Sequence, residues 1–130
     1  FEVAKEILNS KVEFRRAGVY DLNPEEFGTF DIVLCLGVLY HLRHPLLGLE
    51  KIYSVAKEML ILETHYDPYH LGKPLAMFYE NNETNDDSSN WWGFNEAGLL
   101  ALLRTAGFKK PEVLHRYSDR IILKAYKLKI

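Results

Sequence analysis

The segment from Phe30 to Ile52 constrains the fold more than any other part of the chain. A short apolar run, Ile32 to Leu36, stops at Gly37 and gives way to the polar and aromatic cluster Tyr40-His41-Leu42-Arg43-His44. Pro45 then begins a helical spacing carried by Leu46, Leu49, Ile52, Tyr53 and Ala56. A short apolar run ended by Gly reads as a buried strand. Proline is accepted in the first turn of a helix, where its missing N–H would be unpaired in any case. Strand, polar loop and helix together make an α/β unit. Tyr40 to His44 then lie at the carboxyl end of the sheet, where open α/β sheets bind ligands.

The flanking segments extend this pattern. Phe1, Ala4, Ile7 and Leu8 share one face of a short amino-terminal helix broken by Asn9-Ser10. Val12, Phe14 and Val19 alternate imperfectly, which predicts a strand over Val12–Val19, with a turn at Asn23-Pro24. The Pro45 helix is expected to run to about Lys57, with a second buried strand at Met59–Glu63. A long irregular stretch follows from Thr64 to about Trp92. Loops of that length are usually lids or disordered segments, and the acidic stretch from Asn81 to Asn90 reads as solvated. Asn95 is a candidate N-cap for a helix whose apolar stripe is Leu99, Leu100, Leu102, Leu103 and Ala106, closed by Gly107. Glu112–Tyr117 and Arg120–Lys127 flank Ser118-Asp119 and predict an antiparallel hairpin.

At 130 residues with 48% hydrophobic and 26% charged content, the chain suits one domain, 1–130, with a modest core. A formal charge of -2 gives no general attraction for a polyanion. No window approaches the roughly 20 apolar residues that span a bilayer, so no membrane partner is expected. The single Cys35 lies in the apolar strand and has no partner for an intramolecular disulfide, which suits a reducing, cytoplasmic setting. Phe1 stands inside a helix-like pattern without an initiator Met, so a fragment of a longer domain is expected.

Phe30-Asp31-x-Val33, followed by Gly37-Val38-Leu39-Tyr40-His41-Leu42-Arg43-x-Pro45, resembles the fourth strand and following loop of Rossmann-like S-adenosylmethionine-dependent methyltransferases. The similarity is greatest to the branch containing the tRNA wobble-uridine carboxymethyltransferases. Asn90-Trp91-Trp92-Gly93-Phe94-Asn95 and Thr105-Ala106-Gly107-Phe108 are similar to the same branch. The resemblance implies an α/β fold that is the C-terminal portion of a methyltransferase sheet, mostly parallel with a closing antiparallel hairpin. It implies S-adenosylmethionine as cofactor and methyl transfer to a small-molecule or RNA acceptor. The family's first strand and Gly-rich cofactor turn have no counterpart here, and that absence keeps a non-catalytic binding or assembly module as the alternative. Two missing strands would leave a gap roughly 10 Å wide. Either Val12–Val19 pairs directly with the central strand, or another strand fills the space, from a second copy or a different partner chain.

The resemblance also assigns site residues. Leu36, Gly37 and Tyr40 match positions lining the methionine end of the cofactor, and Asp21 a position near the adenine amino group. For Asp21 the other reading is a solvated or turn-capping carboxylate. His41 and His65 are the candidate catalytic proton acceptors, because imidazole titrates near working pH. The alternatives are a core aromatic for Tyr40 and a hydrogen-bonded helix-entry residue for His41. His65, Asp67 and His70 are metal-ligand types close in sequence, but no further matching pair supports a metal site, and none is assigned. In the carboxymethyl-transferring enzymes basic residues join the Tyr in holding an extra cofactor carboxylate; only Tyr40 can be matched from the sequence. Trp91 and Trp92 either close the acceptor pocket or anchor the long loop.

Overall fold

The elements follow the sequence pattern through most of the chain. The computed structural model describes residues 1–69 and 72–127. Helix α1 (Glu2–Ile7) is followed by a 3-10 turn at Val19–Asp21, the short helix α2 (Pro24–Phe27), strand β1 (Phe30–Leu36) and a second 3-10 turn at Leu39–His41. Helix α3 (Pro45–Val55) leads directly into β2 (Ala56–His65), and then come β3 (Ala76–Phe78), β4 (Trp92–Phe94), α4 (Glu96–Thr105), β5 (Lys109–Tyr117) and β6 (Arg120–Tyr126).

Four strands form one sheet in the order β1-β2-β6-β5. Strand β1 pairs with β2 in parallel, whereas β6 is antiparallel to both β2 and β5. Three of the four strands therefore point the same way and β6 runs against them. The expected α/β architecture and the closing hairpin both hold. Ser118 in the hairpin turn adopts a left-handed conformation, φ 49°.

The core lies on one face of the sheet. Cys35, Leu60, Leu62, Ile121, Leu123 and Ala125 pack there with Leu49 and Ile52 of α3 and Leu99 and Leu103 of α4. Asn95 caps α4 by accepting the Gly98 N–H at 2.8 Å, as its position before the apolar stripe predicts. Phe108, beyond the end of α4, is fully buried against Tyr53.

Four expectations are corrected. Val12–Val19 forms no strand: residues 11–18 are irregular, exposed and outside the sheet, and the ring of Phe14 lies against that of Phe1. The direct pairing of this segment with β1 therefore does not occur. Alternation specifies a strand only where a neighbour's backbone is within reach, and the outer edge of β1 carries no partner among the described residues.

The apolar run of β1 is not fully buried. Phe30, Ile32, Leu34 and Leu36 alternate onto the face opposite the core and are 51%, 53%, 63% and 53% exposed. Helix α3 ends at Val55, two residues early, because Ala56 is already extended (ψ 140°) and opens β2. The long stretch after His65 contains β3 and β4, which pair with each other through Ala76–Phe94, Met77–Gly93 and Phe78–Trp92. No described helix is long and apolar enough to cross a membrane.

Candidate functional site

Strands β1 and β2 end side by side, and the Gly37 N–H donates to the Glu63 carbonyl at 3.0 Å. Gly37 has φ 69°, a conformation that favours glycine, and this bends the chain sharply off the strand into the Leu39–His41 turn. The bend sets Tyr40 above the carboxyl ends of both strands. Arg120, the first residue of β6, reaches the same place because β6 pairs antiparallel to β2 with His65 opposite Arg120.

Here Arg120 binds both oxygens of Glu63, Nε to Oε1 at 2.5 Å and a terminal nitrogen to Oε2 at 2.7 Å. Its other terminal nitrogen donates to the Tyr40 hydroxyl at 3.1 Å, and the guanidinium lies 5.0 Å from the centre of the Tyr40 ring. The paired Glu63 raises the Arg120 pKa further above its ordinary value. Planar two-point pairing of this kind fixes orientation as well as charge. A Cβ on Gly37 would lie in ordinary contact with these three side chains, 3.6 Å from Arg120, 3.9 Å from Glu63 and 4.0 Å from Tyr40.

Two residues further along β2, His65 is buried, at 6% exposure, and its ring stands edge-on to Tyr40 with centroids 6.1 Å apart. Carboxylates face both of its nitrogens: Nε2 lies 3.7 Å from Asp67 Oδ1, and Nδ1 lies 3.4 Å from Asp119 Oδ2. The Asp67 carboxylate raises the His65 pKa most, burial opposes the rise, and Asp119 adds to it. Asp67 accepts a 2.5 Å hydrogen bond from the Tyr79 hydroxyl. Burial disfavours ionised Asp67, but the bonds to His65 and Tyr79 outweigh it and hold its pKa low. Burial and the bond to Asp67 push the Tyr79 phenol up.

The loop before β4 closes over the other side of Tyr40. The Trp91 N–H donates to the Tyr40 carbonyl at 2.9 Å. His41 Nδ1 lies 3.0 Å from both the carbonyl and the hydroxyl oxygen of Ser89. Arg43 sits 4.6 Å over the Trp91 ring, which also stacks on Phe78. Trp92 belongs to β4 and stacks on Phe94, so it anchors the long loop to the core. The Asp21 carboxylate accepts the N–H of Gly18, the turn-capping arrangement. Burial and nearby Glu63 push the Cys35 thiol up to about 11, which suits a packing role. His70 lies outside the described residues, and among those described no group of three His, Cys, Asp or Glu side chains is placed to hold a metal ion.

The structure thus brings Leu36, Gly37, Tyr40, His41 and His65 to one end of the sheet. Glu63, Tyr79, Asp119 and Arg120 join them there without having been singled out from the sequence, and Asp67 had been considered only as a metal-ligand type. A β2–β6 register linking residues 57 positions apart leaves no local signal.

A mixed sheet with an antiparallel strand before its last parallel-running one, and a polar cluster at the carboxyl ends of β1 and β2, is the arrangement of the C-terminal portion of a Rossmann-like methyltransferase sheet. No family model matches the sequence. The chain is similar to the N-terminal domain of EvdMO1, solved in the presence of SAH and D-fucose, with 32% identity, a TM-score of 0.73, and coverage of 96% of this chain and 59% of that one. It is also similar to the tRNA U34 carboxymethyltransferase of Cellvibrio japonicus (strain Ueda107), 30% identical over 118 residues that make up 88% of this chain and 35% of that protein. The corresponding protein of Helicobacter acinonychis (strain Sheeba) is 41% identical over 56 residues, 42% of this chain and 21% of that one. The chain therefore spans about a third or less of the length of these curated relatives.

Whether the residues present suit the cofactor is answered at Gly37. The left-handed glycine, the exposed Leu36 beside it and the Tyr40 hydroxyl held by Arg120 lie together at the sheet end. A glycine without a side chain beside an apolar residue suits the close approach of a ligand such as S-adenosylmethionine to the backbone, and the sequence holds no Gly-rich turn to match it.

Proposed function

We propose that this chain forms part of an S-adenosylmethionine-dependent methyltransferase acting on a hydroxyl of a small, sugar-like acceptor. The observation that carries the reading is the Gly37-Tyr40-Glu63-Arg120 cluster, with His65 beside it, at the sheet end of a fold 32% identical to a domain solved with SAH and D-fucose. The net charge of -2 lends no support to an autonomous RNA-binding surface.

The bound cofactor supplies an electrophilic methyl group on a sulfonium whose sulfur departs with the bonding pair. This chain's residues hold and orient. Leu36 and Gly37 offer the wall for the methionine end, and Tyr40 is fixed by Arg120, which Glu63 holds in turn. The loop before β4 is tied to the Tyr40 backbone by the Trp91 N–H. Positioning of this kind supplies much of the barrier reduction in a transfer whose leaving group is already activated. His65 takes the acceptor's proton.

Calorimetric titration of the complete protein with S-adenosylhomocysteine, followed by mass analysis of D-fucose incubated with S-adenosylmethionine, tests the reading. Saturable binding and a gain of one methyl group are expected. Absence of binding would overturn it.

A further inference from the structure

Two histidine rings lie near the ring of Tyr40, and they are held differently. His65 is buried with carboxylates on both sides, whereas His41 is half-buried, its ring centre 4.1 Å from that of Tyr40. His41 Nδ1 lies 3.0 Å from the Ser89 carbonyl oxygen. A carbonyl oxygen only accepts, so the hydrogen of that bond belongs to Nδ1. The Ser89 hydroxyl, also 3.0 Å from Nδ1, agrees: its own hydrogen goes to Asp87 Oδ1 at 2.7 Å, which leaves a lone pair for the ring. The Ser89 backbone is fixed in turn. Its N–H donates to Asp87 Oδ1 at 2.9 Å, the Asn90 N–H donates to the Asp87 carbonyl at 3.2 Å, and the buried Asn90 side-chain amide donates to the Thr84 carbonyl at 2.9 Å. In a neutral imidazole one nitrogen carries the hydrogen and the other the lone pair. Nε2 is therefore the lone-pair nitrogen of His41. It makes no hydrogen bond to any described residue and, unlike Nδ1 of His65, is not shut off from solvent.

We propose that Ser89 and Asp87 are positioning residues that hold His41 as the Nδ1–H tautomer, and that its Nε2 accepts a hydrogen bond from a second, non-reacting hydroxyl of the acceptor. The inference rests on the reading of methyl transfer to a sugar-like acceptor and narrows it to one carrying at least two hydroxyls. A hydroxyl is the fitting partner, because it supplies a hydrogen to the lone pair and needs none from Nδ1, which is already committed to Ser89. An oxygen without a hydrogen, as in a carboxylate or an ionised phosphate, would set lone pair against lone pair at Nε2. No proton is transferred at His41: the second hydroxyl keeps its hydrogen and is oriented by it. The position suits this role, since Tyr40, against which the ring lies, is also bonded through its hydroxyl to Arg120 and through its carbonyl to the Trp91 N–H. A ligand hydroxyl at Nε2 is thus referred to the same fixed frame as the cluster at the sheet end.

Nuclear magnetic resonance of the histidine ring nitrogens reads both parts, in the complete protein with S-adenosylhomocysteine present and D-fucose added stepwise. His41 is assigned by its loss in His41→Asn. The neutral ring is expected as the Nδ1–H tautomer, and its Nε2 resonance is expected to move saturably with D-fucose. Asp87→Ala removes both bonds to Ser89 and should bring the Nε2–H tautomer into the population, weakening D-fucose binding roughly 2- to 10-fold. In His41→Asn the side-chain amide can still donate to the Ser89 carbonyl while Nε2 is gone. D-fucose should weaken by the same order there, with KM raised and kcat little changed. An Nε2–H tautomer in the wild type overturns the proposal, as does D-fucose binding that leaves His41 Nε2 unmoved. No binding of D-fucose overturns it together with the sugar-like reading. A saturable shift at Nε2 without any gain of a methyl group from S-adenosylmethionine defeats the methyl-transfer reading alone and leaves the hydrogen bond standing.

Discussion

His65 and Asp67 stabilise each other only while one is protonated and the other is not, and this gives a signed pH dependence. The folded pKa of His65 is raised, so its contribution is fully present below the unfolded value of about 6.5 and is lost as pH rises through the folded value. The folded pKa of Asp67 is lowered, so its contribution is present above its unfolded value and is lost as pH falls through the folded value. The pair therefore supports the fold most strongly in the mildly acidic range between these limits. Chemical denaturation of wild type and His65→Asn as a function of pH is expected to show stability falling more steeply above about pH 6.5 in the wild type. Parallel curves would mean that the paired carboxylates do not perturb the ring. At this scale the sequence disclosed residue types but not pairings. Tyr40 and His65 were legible, one through the strand-end resemblance and the other as an imidazole after a strand. Arg120 and Tyr79 were not, because their roles depend on the long-range β2–β6 register and on a three-residue ladder that periodicity over so few positions cannot reveal.

The elements most legible in the sequence are those whose apolar pattern is answered by packing inside the chain. The α4 stripe closes on the core, and Asn95 announces its start. Asn95 does more than cap, since its Oδ1 also accepts the Leu75 N–H at 2.9 Å while its amide donates to the carbonyls of Tyr69 at 3.1 Å and Lys73 at 2.8 Å. It ties the loop after β2 and the start of β3 to the head of α4. Asn95→Ala is expected to destabilise by roughly 2–4 kcal/mol, the sum of a lost cap and of further buried hydrogen bonds. Asn95→Asp distinguishes the two roles. Aspartate is as good an N-cap as asparagine, yet here it would lose both donors and set a carboxylate against two carbonyl oxygens. Urea titration should find Asn95→Asp clearly destabilised; near-neutral behaviour would reduce Asn95 to a cap. Val12–Val19 fails as a strand for the converse reason: its alternation is real, but no strand of the described chain pairs with it.

Over the whole molecule, the same asymmetry concentrates unused strand capacity at β1. Its inner edge pairs with β2, its outer edge pairs with nothing described, and four apolar side chains cover its open face. An edge of this kind is a template for strand addition. Burying the exposed half of Phe30, Ile32, Leu34 and Leu36 would be worth on the order of 1 kcal/mol per side chain. An apolar run reads as buried in the sequence, yet the described residues cover only one face of β1. Hydrogen exchange on this chain by itself is expected to show fast exchange at the β1 amides pointing away from β2, beside slow exchange in β2 and β6. Leu34→Lys should shift its stability by no more than about 0.5 kcal/mol, as for other exposed positions. When a neighbouring strand is supplied, by a second copy or by another segment, the outer β1 amides should become protected and Leu34→Lys should become destabilising. Protection of those amides in the isolated monomeric chain, or a large loss from Leu34→Lys there, would mean that β1 is already covered and that the sheet ends where its strands end.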